Sequence, residues 1–241
     1  MPTDLTDQPT TDSRTPLDLG PIVITGGASG LGTAVAQAVQ SAGGTPLVLD
    51  LDPGLGGFAG LPVDLADPRA AEAAVAKLAE EHGPLGGIVT AAGTDACGRI
   101  EDVPAEQWDR VVQVNLIGTA AVVRAATPHL EGGRIVTVAS TLGYRALSDA
   151  SAYCASKFGV VGMSRALQVE LAGRIGVTLL IPGGMQTAFF DDRDPQYKPG
   201  PDAALQDPAD VASAVLFALT RPRGSEVREM VVTVPTEPSW P

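Results

Sequence analysis

The sequence predicts an α/β protein, a doubly wound parallel sheet of about seven strands flanked by helices on both faces. Apolar runs of four to eight residues alternate along the chain with alanine-rich stretches of helical length. Those runs are continuous rather than alternating in polarity, the pattern of strands buried on both faces. A glycine-rich turn joins the first run to the first helix, as it does where a sheet of this class binds its ligand.

In order, PIVIT (21–25) reads as a strand, 30–42 as a helix, TPLVLD (45–50) as a strand and LPVD (61–64) as a short strand. Residues 68–82 read as a helix, GGIVTAA (86–92) as a strand, 104–130 as one long helix and GRIVTVAS (133–140) as a strand. A helix opens at SAYCASK and runs from 151 to about 172, followed by the strand IGVTLLIP (175–182), an irregular stretch, a helix at 208–220 and the strand EMVVTV (229–234). Residues 20–241 are expected to form one domain. Residues 1–19, rich in Pro, Thr and Asp, read as a disordered tail without the basic and apolar regions of a signal peptide.

A formal charge of −12 argues against nucleic acid and anionic membrane as partners, since both demand basic surface. No apolar run is expected to span a membrane. Cys97 and Cys154, the only cysteines, supply neither a disulfide framework nor a metal cluster. They read as reduced, buried thiols of a cytoplasmic protein, and no metal site is expected.

In such sheets the ligand lies beyond the carboxyl ends of the strands, so the residues just after each strand carry the chemistry. TGGASGLG (25–32) follows a strand and opens a helix, where Gly26, Gly30 and Gly32 let backbone N–H groups approach a pyrophosphate, with Ser29 and Leu31 beside them. Asp50 ends the second strand twenty-four residues past Gly26, with Leu51 next to it; its carboxylate can accept from ribose hydroxyls and would repel a 2′-phosphate. No Arg or Lys occurs in 25–32 or 50–60, so the cofactor reads as NAD rather than NADP. Asp64, followed by Leu65, is placed to meet the adenine amino group or to cap the helix that starts near Pro68.

Tyr153 and Lys157 stand four residues apart in SAYCASK, one above the other on a helix face. Ser140 ends the strand thirteen residues upstream of Tyr153, and Asn115 lies in VNL within the long helix. These motifs, with TGGASGLG, the AAG of Ala91, Ala92 and Gly93, and Pro182-Gly183 with Thr187 five positions after the proline, resemble the short-chain dehydrogenases/reductases over residues 20 to 234. The resemblance implies a Rossmann-type fold and NAD-dependent interconversion of a secondary alcohol, or a cyclic diol, with a ketone. Tyr153 would be the general acid and base and Lys157 would lower its pKa and touch the nicotinamide ribose. Ser140 would orient the substrate oxygen, Asn115 would hold a relay water and Thr187 would reach the carboxamide. It also implies a homotetramer or homodimer.

The chain departs from the family pattern at Thr90, where an asparagine is common, in the short glycine-rich segment 50–64, and in the C-terminal EPSWP. The brevity of that segment and IVTVAS are similar to 2,3-dihydro-2,3-dihydroxybenzoate dehydrogenases. Substrate contacts are expected from Thr94, Asp95, Thr141, Leu142, Gly184 and Phe189, with 184–207 as a lid carrying Phe190 and Tyr197. A non-catalytic dinucleotide-sensing regulator is the alternative; such proteins can lose the tyrosine and lysine that this chain keeps. A serine hydrolase would need G-x-S-x-G, which Ser29 does not satisfy.

Overall fold

The computed structural model describes residues 18–240. Seven strands, β1 (Pro21–Thr25), β2 (Thr45–Asp50), β3 (Ala59–Pro62), β4 (Gly87–Thr90), β5 (Arg134–Val138), β6 (Gly176–Pro182) and β7 (Glu229–Val232), form one sheet. Their order is β3-β2-β1-β4-β5-β6-β7, and every pairing is parallel. The chain winds outward from β1 to β3, then crosses back to β4 and winds the other way. That reversal opens a crevice above the carboxyl ends of β1 and β4.

Period-two alternation along strands buried on both faces explains the two cores. Val23, Leu47, Leu49 and Ile88 face α2 (Pro68–His82) and α4 (Thr119–Ala126). Ile22, Ile24 and Val89 face α1 (Gly30–Ser41) and α6 (Pro208–Leu219). Each such side chain taken fully out of water contributes about 1.5–3 kcal/mol. A third cluster joins Val160 and Val161 of α5 (Ser151–Glu170) to Leu179 and Ile181 of β6.

The structure corrects several boundaries. Leu19, assigned to the tail, is buried in the second core, and the tail through residue 17 lies outside the described residues. β3 begins two residues earlier than expected, and Asp50–Asp64 holds a 3-10 turn, Pro53–Gly56, capped by Asp52. Asp67, not Asp64, caps α2, accepting from the N–H groups of Arg69 and Ala70. The expected helix 104–130 is α3 (Ala105–Val112), a π-helical turn at Gln113–Gly118, α4 and a closing 3-10 turn. By length and composition Ala105–His129 would also pass for a membrane span, contrary to the sequence reading. In the fold, its residues Ala121, Val122, Val123 and Ala126 are buried in the first core.

Thr90, the departure from the family pattern, is 1% exposed, and its hydroxyl has no hydrogen-bond partner among the described residues. Thr90→Val keeps the shape and removes the stranded polar atom. Urea unfolding should show the variant about 1 kcal/mol more stable than the wild type.

Candidate active site

Above the crevice lies a cleft of about 760 Å³, within the range of ligand pockets. The glycine turn forms its floor. Gly26 has φ +69, and a Cβ there would stand 2.7 Å from Ala92 Cα; a Cβ on Gly32 would run into the Gly26 carbonyl. Side chains are therefore excluded where β1 and β4 approach α1. Ser29 precedes α1 without a side-chain cap, so its hydroxyl leaves the first-turn N–H groups to a ligand. Asp50 is fixed beside them: Ala28 N–H donates to Oδ2 at 3.0 Å and Leu51 N–H to Oδ1 at 2.7 Å. Gly30, Leu31, Leu51, Asp64, Leu65, Ala91, Gly93, Pro182, Gly183 and Thr187 line the same cleft. A helix N-terminus free of side chains, with an acid at the end of the neighbouring strand, fits a dinucleotide.

The catalytic candidates converge at the carboxyl ends of β4 and β5. Asn115, 1% exposed, sits in the π turn and directs its amide across to the loop after β4. Thr94 N–H donates to its Oδ1 at 2.8 Å, and its Nδ2 donates to Thr94 O at 2.9 Å and to Ser156 Oγ at 3.1 Å. The side chain does not line the cleft; both amide hydrogens are committed, so it is a staple between the β4 loop and α5. Ser140 leaves β5 in an extended conformation, and its Oγ accepts from Leu142 N–H at 3.2 Å. Lys157, 4% exposed, donates to Val138 O at 2.9 Å and lies 5.6 Å from the centre of the Tyr153 ring.

Burial sets the proton affinities. It pushes Tyr153 up to about 12, with the neighbouring Ser140 hydroxyl pulling the other way, and it pushes Lys157 down to about 8. Without a dinucleotide, desolvation of the phenolate outweighs the lowering expected from Lys157 together with the positive nicotinamide ring.

The stretch 184–207 closes on itself at a neck, where Gln186 N–H donates to Gln206 O at 2.9 Å and Gln206 N–H to Gly184 O at 3.0 Å. Phe189 packs on Tyr153 with ring centres 5.8 Å apart, and Thr94, Leu142, Gly184, Phe190 and Tyr197 join it on the wall. Thr141 also lines the cleft, although it is 3% exposed and its hydroxyl is taken by Ser239 at 2.7 Å. Asp95 is not a lining residue. Its carboxylate is turned into an ion pair with Arg193 of the lid, 2.5 Å away, and accepts from Cys97 Sγ at 3.3 Å. Cys97 is only partly buried, unlike Cys154, and burial followed by the Asp95 charge pushes its thiol up to about 11.

A family model described as short chain dehydrogenase matches residues 21–198. The chain belongs to the short-chain dehydrogenase family. A 2-(S)-hydroxypropyl-CoM dehydrogenase of Xanthobacter autotrophicus is 31% identical over 83% of this chain and 89% of its own. A D-beta-hydroxybutyrate dehydrogenase of Rhizobium meliloti is 34% identical over 72% of this chain and 74% of its own. Among solved structures, a short-chain dehydrogenase from Burkholderia cenocepacia in complex with NADP shares 25% identity, with a TM-score of 0.78 over 92% of this chain and 96% of that one. The seven-stranded sheet is the Rossmann-type architecture expected, and the cleft is the place where this oxidoreductase fold takes a nicotinamide dinucleotide.

Arg110, Arg193 and Glu237 are charged residues of this dehydrogenase's cleft that sequence reasoning missed. Arg110 of α3 lines the adenosine side and grips Asp64 through two bonds of 3.1 and 3.2 Å. Hydrogen bonding from Ala66 N–H and the Arg110 guanidinium hold the Asp64 carboxyl below its usual range despite burial. Arg193 lies against Phe189 and Phe190, and Glu237 enters from the C-terminus. Each comes from an element remote in sequence from the motif it meets, and no local spacing marks it.

The lysine shift predicts a pH dependence. Above pH 8 the folded, dinucleotide-free protein releases the Lys157 proton, whereas the unfolded chain keeps it to about 10.5. The unfolded state then binds more protons, so folding stability rises with pH from 8 towards 10.5 and is lost as pH falls back to 8. Tyr153 acts in the opposite sense only from pH 10 upward, where the unfolded phenol ionises and the folded one does not. Unfolding free energies of wild type relative to Lys157→Met should therefore grow by roughly 2 kcal/mol between pH 7.5 and 9.5. A flat difference would place the ammonium in water.

Proposed function

We propose that the chain is an NAD-dependent dehydrogenase that interconverts a small secondary alcohol or diol with its ketone. The observation that carries this reading is the convergence of Ser140, Tyr153 and Lys157 on the cleft that the glycine turn and Asp50 also line. The activities named for the Xanthobacter and Rhizobium relatives, both on hydroxyl-bearing compounds, support it. When bound, the dinucleotide supplies the hydride acceptor, or the hydride for the reverse reaction. Ser140 and the Tyr153 hydroxyl hold the substrate oxygen between them, which fixes the carbon that exchanges hydride. Tyr153, protonated near neutrality, is ready to donate to a ketone oxygen. Alcohol oxidation needs the phenolate, which the Lys157 ammonium beside the ring and the positive nicotinamide ring of bound NAD would favour. Phe189 over Tyr153 excludes solvent from that exchange. The Asn115 staple keeps the β4 loop and α5 in register, and any relay water must be held by groups other than its amide. Exposed Phe158 and Val169 on α5 support self-association into a dimer or tetramer.

Asp50 supports NAD over NADP. Its oxygens are held towards the cleft, and a 2′-phosphate there would meet a fixed negative charge. Arg110 adds a cation the sequence reading lacked, but its guanidinium is committed to Asp64.

Tyr153→Phe should abolish NAD reduction by a panel of secondary alcohols and diols, a loss on the order of a hundredfold or more, while leaving NAD affinity within twofold. Activity near wild type would overturn the mechanism. Wild type should prefer NAD by on the order of a hundredfold in kcat/KM, and Asp50→Ser with Leu51→Arg should narrow or invert the preference. A wild type that prefers NADP would remove Asp50 from the ribose.

A further inference from the structure

After β7 the chain turns back over its own cleft. Glu237 N–H donates to Val234 O at 3.1 Å and Trp240 N–H to Glu237 O at 3.3 Å, which bends 234–240 into a compact strap. Four contacts pin it. Gly184 N–H donates to Glu237 Oε2 at 3.1 Å, Ser239 Oγ pairs with Thr141 Oγ1 at 2.7 Å, and Arg145 donates to Pro238 O at 2.7 Å. Trp240 stands edge-on to Tyr144 at 5.6 Å and packs into the cluster of Val160 and Ile181. Glu237, Pro238 and Ser239 thereby line the same cleft as Ser140 and Tyr153.

The charges at this end of the cleft are not all paired. Arg193 is cancelled by Asp95, whereas Lys198 and Lys157 keep their charge but are each directed at a backbone carbonyl, of Asp191 and Val138, and not at a carboxylate. Glu237 accepts from Gly184 N–H, Ser239 N–H and Ser239 Oγ, and among the described residues no Lys, Arg or His lies within ion-pair distance of it. Three neutral donors orient the carboxylate without neutralising it. Oε2 takes one hydrogen bond of the two or so it can accept.

We propose that Glu237 is a specificity-determining residue that selects, among secondary alcohols, those bearing a further hydroxyl or an ammonium group, and rejects those bearing a carboxylate, sulfonate or phosphate. A donor on the substrate that reaches the Glu237 carboxylate from the cleft forms a charge-assisted hydrogen bond, about twice as strong as a neutral one. An anionic substituent meets a like charge fixed by three bonds and unable to swing away. The inference rests on the site being the alcohol-oxidising centre proposed above, and it names the substrate class of that site.

The test measures binding, so that it does not depend on turnover. In the presence of NAD, saturation-transfer NMR would rank 1-amino-2-propanol, 1,2-propanediol and 3-hydroxybutyrate, of similar size and positive, neutral and negative charge. Wild type should bind the amine and the diol more tightly than the acid, with on the order of tenfold between the extremes. Glu237→Gln should compress the series to within about threefold, mainly by gaining the acid, with NAD affinity unchanged. Glu237→Asp, which keeps the charge, should preserve the order. Three outcomes overturn the proposal: a ranking unaltered in the Gln variant, Gln and Asp variants that behave alike, or a change confined to NAD affinity, which would assign Glu237 to the nicotinamide. The ranking holds or fails even if none of the three alcohols is oxidised, whereas that failure would count against the dehydrogenase reading alone.

Discussion

The site depends on one buried side-chain amide. Asn115 bonds both backbone groups of Thr94 and the hydroxyl of Ser156, and Ser156 in turn donates to the carbonyl of Tyr153. The β4 loop, the helix that carries Asn115 and the helix that carries Tyr153 and Lys157 are thus joined through a single residue. Asn115 sits within the π turn, a local departure from α-helical winding of the kind that often marks functional sites. Such turns cost regular hydrogen bonding, and here the amide makes three bonds in compensation.

The electrostatics follow from burial more than from pairing. Tyr153 and Lys157 are driven in opposite directions by the same dry surroundings, each towards its neutral form. An arrangement of this kind holds its charges in reserve. It leaves the balance of the pair to whatever enters the cleft, because a newly bound charge acts through little intervening water. Asp95 opposes the trend at Lys157, favouring the ammonium, and does so while tying Arg193 and the lid to the β4 loop.

Much of this was legible in the sequence, and the physical reason is locality. A parallel strand buried on both faces declares itself by a continuous apolar run, and the glycine turn by a spacing that only backbone approach requires. Tyr153 and Lys157 declare themselves by one helical turn, so the fold and the dinucleotide floor could be read directly. The π turn could not, because Ala105–His129 has helical composition throughout and only Asn115 and Gly118 in its middle hint at an interruption. Asp95 was misplaced for a related reason: its loop was rightly put at the cleft, but its partner Arg193 stands ninety-eight residues away, and that pairing turns the carboxylate out of the wall. Arg110 and Glu237 escaped in the same manner. EPSWP showed no motif, since its role comes from where β7 delivers it.

The neck of the lid gives the fold a further property. With Gln186 and Gln206 bonded to each other, the nineteen or so residues between them close a loop whose ends are held at fixed separation by the sheet. Doubling such a loop costs only about 0.6 kcal/mol of closure entropy. Thr187 lies just inside the neck and against Gly30, so its register with the glycine turn is set by the neck and not by the tip. The tip from Asp194 to Leu205, beyond the contacts of Phe189 with Tyr153 and of Arg193 with Asp95, is therefore an exchangeable cassette: its length and chemistry can change, and with them the range of compounds admitted, while the sheet beneath is undisturbed.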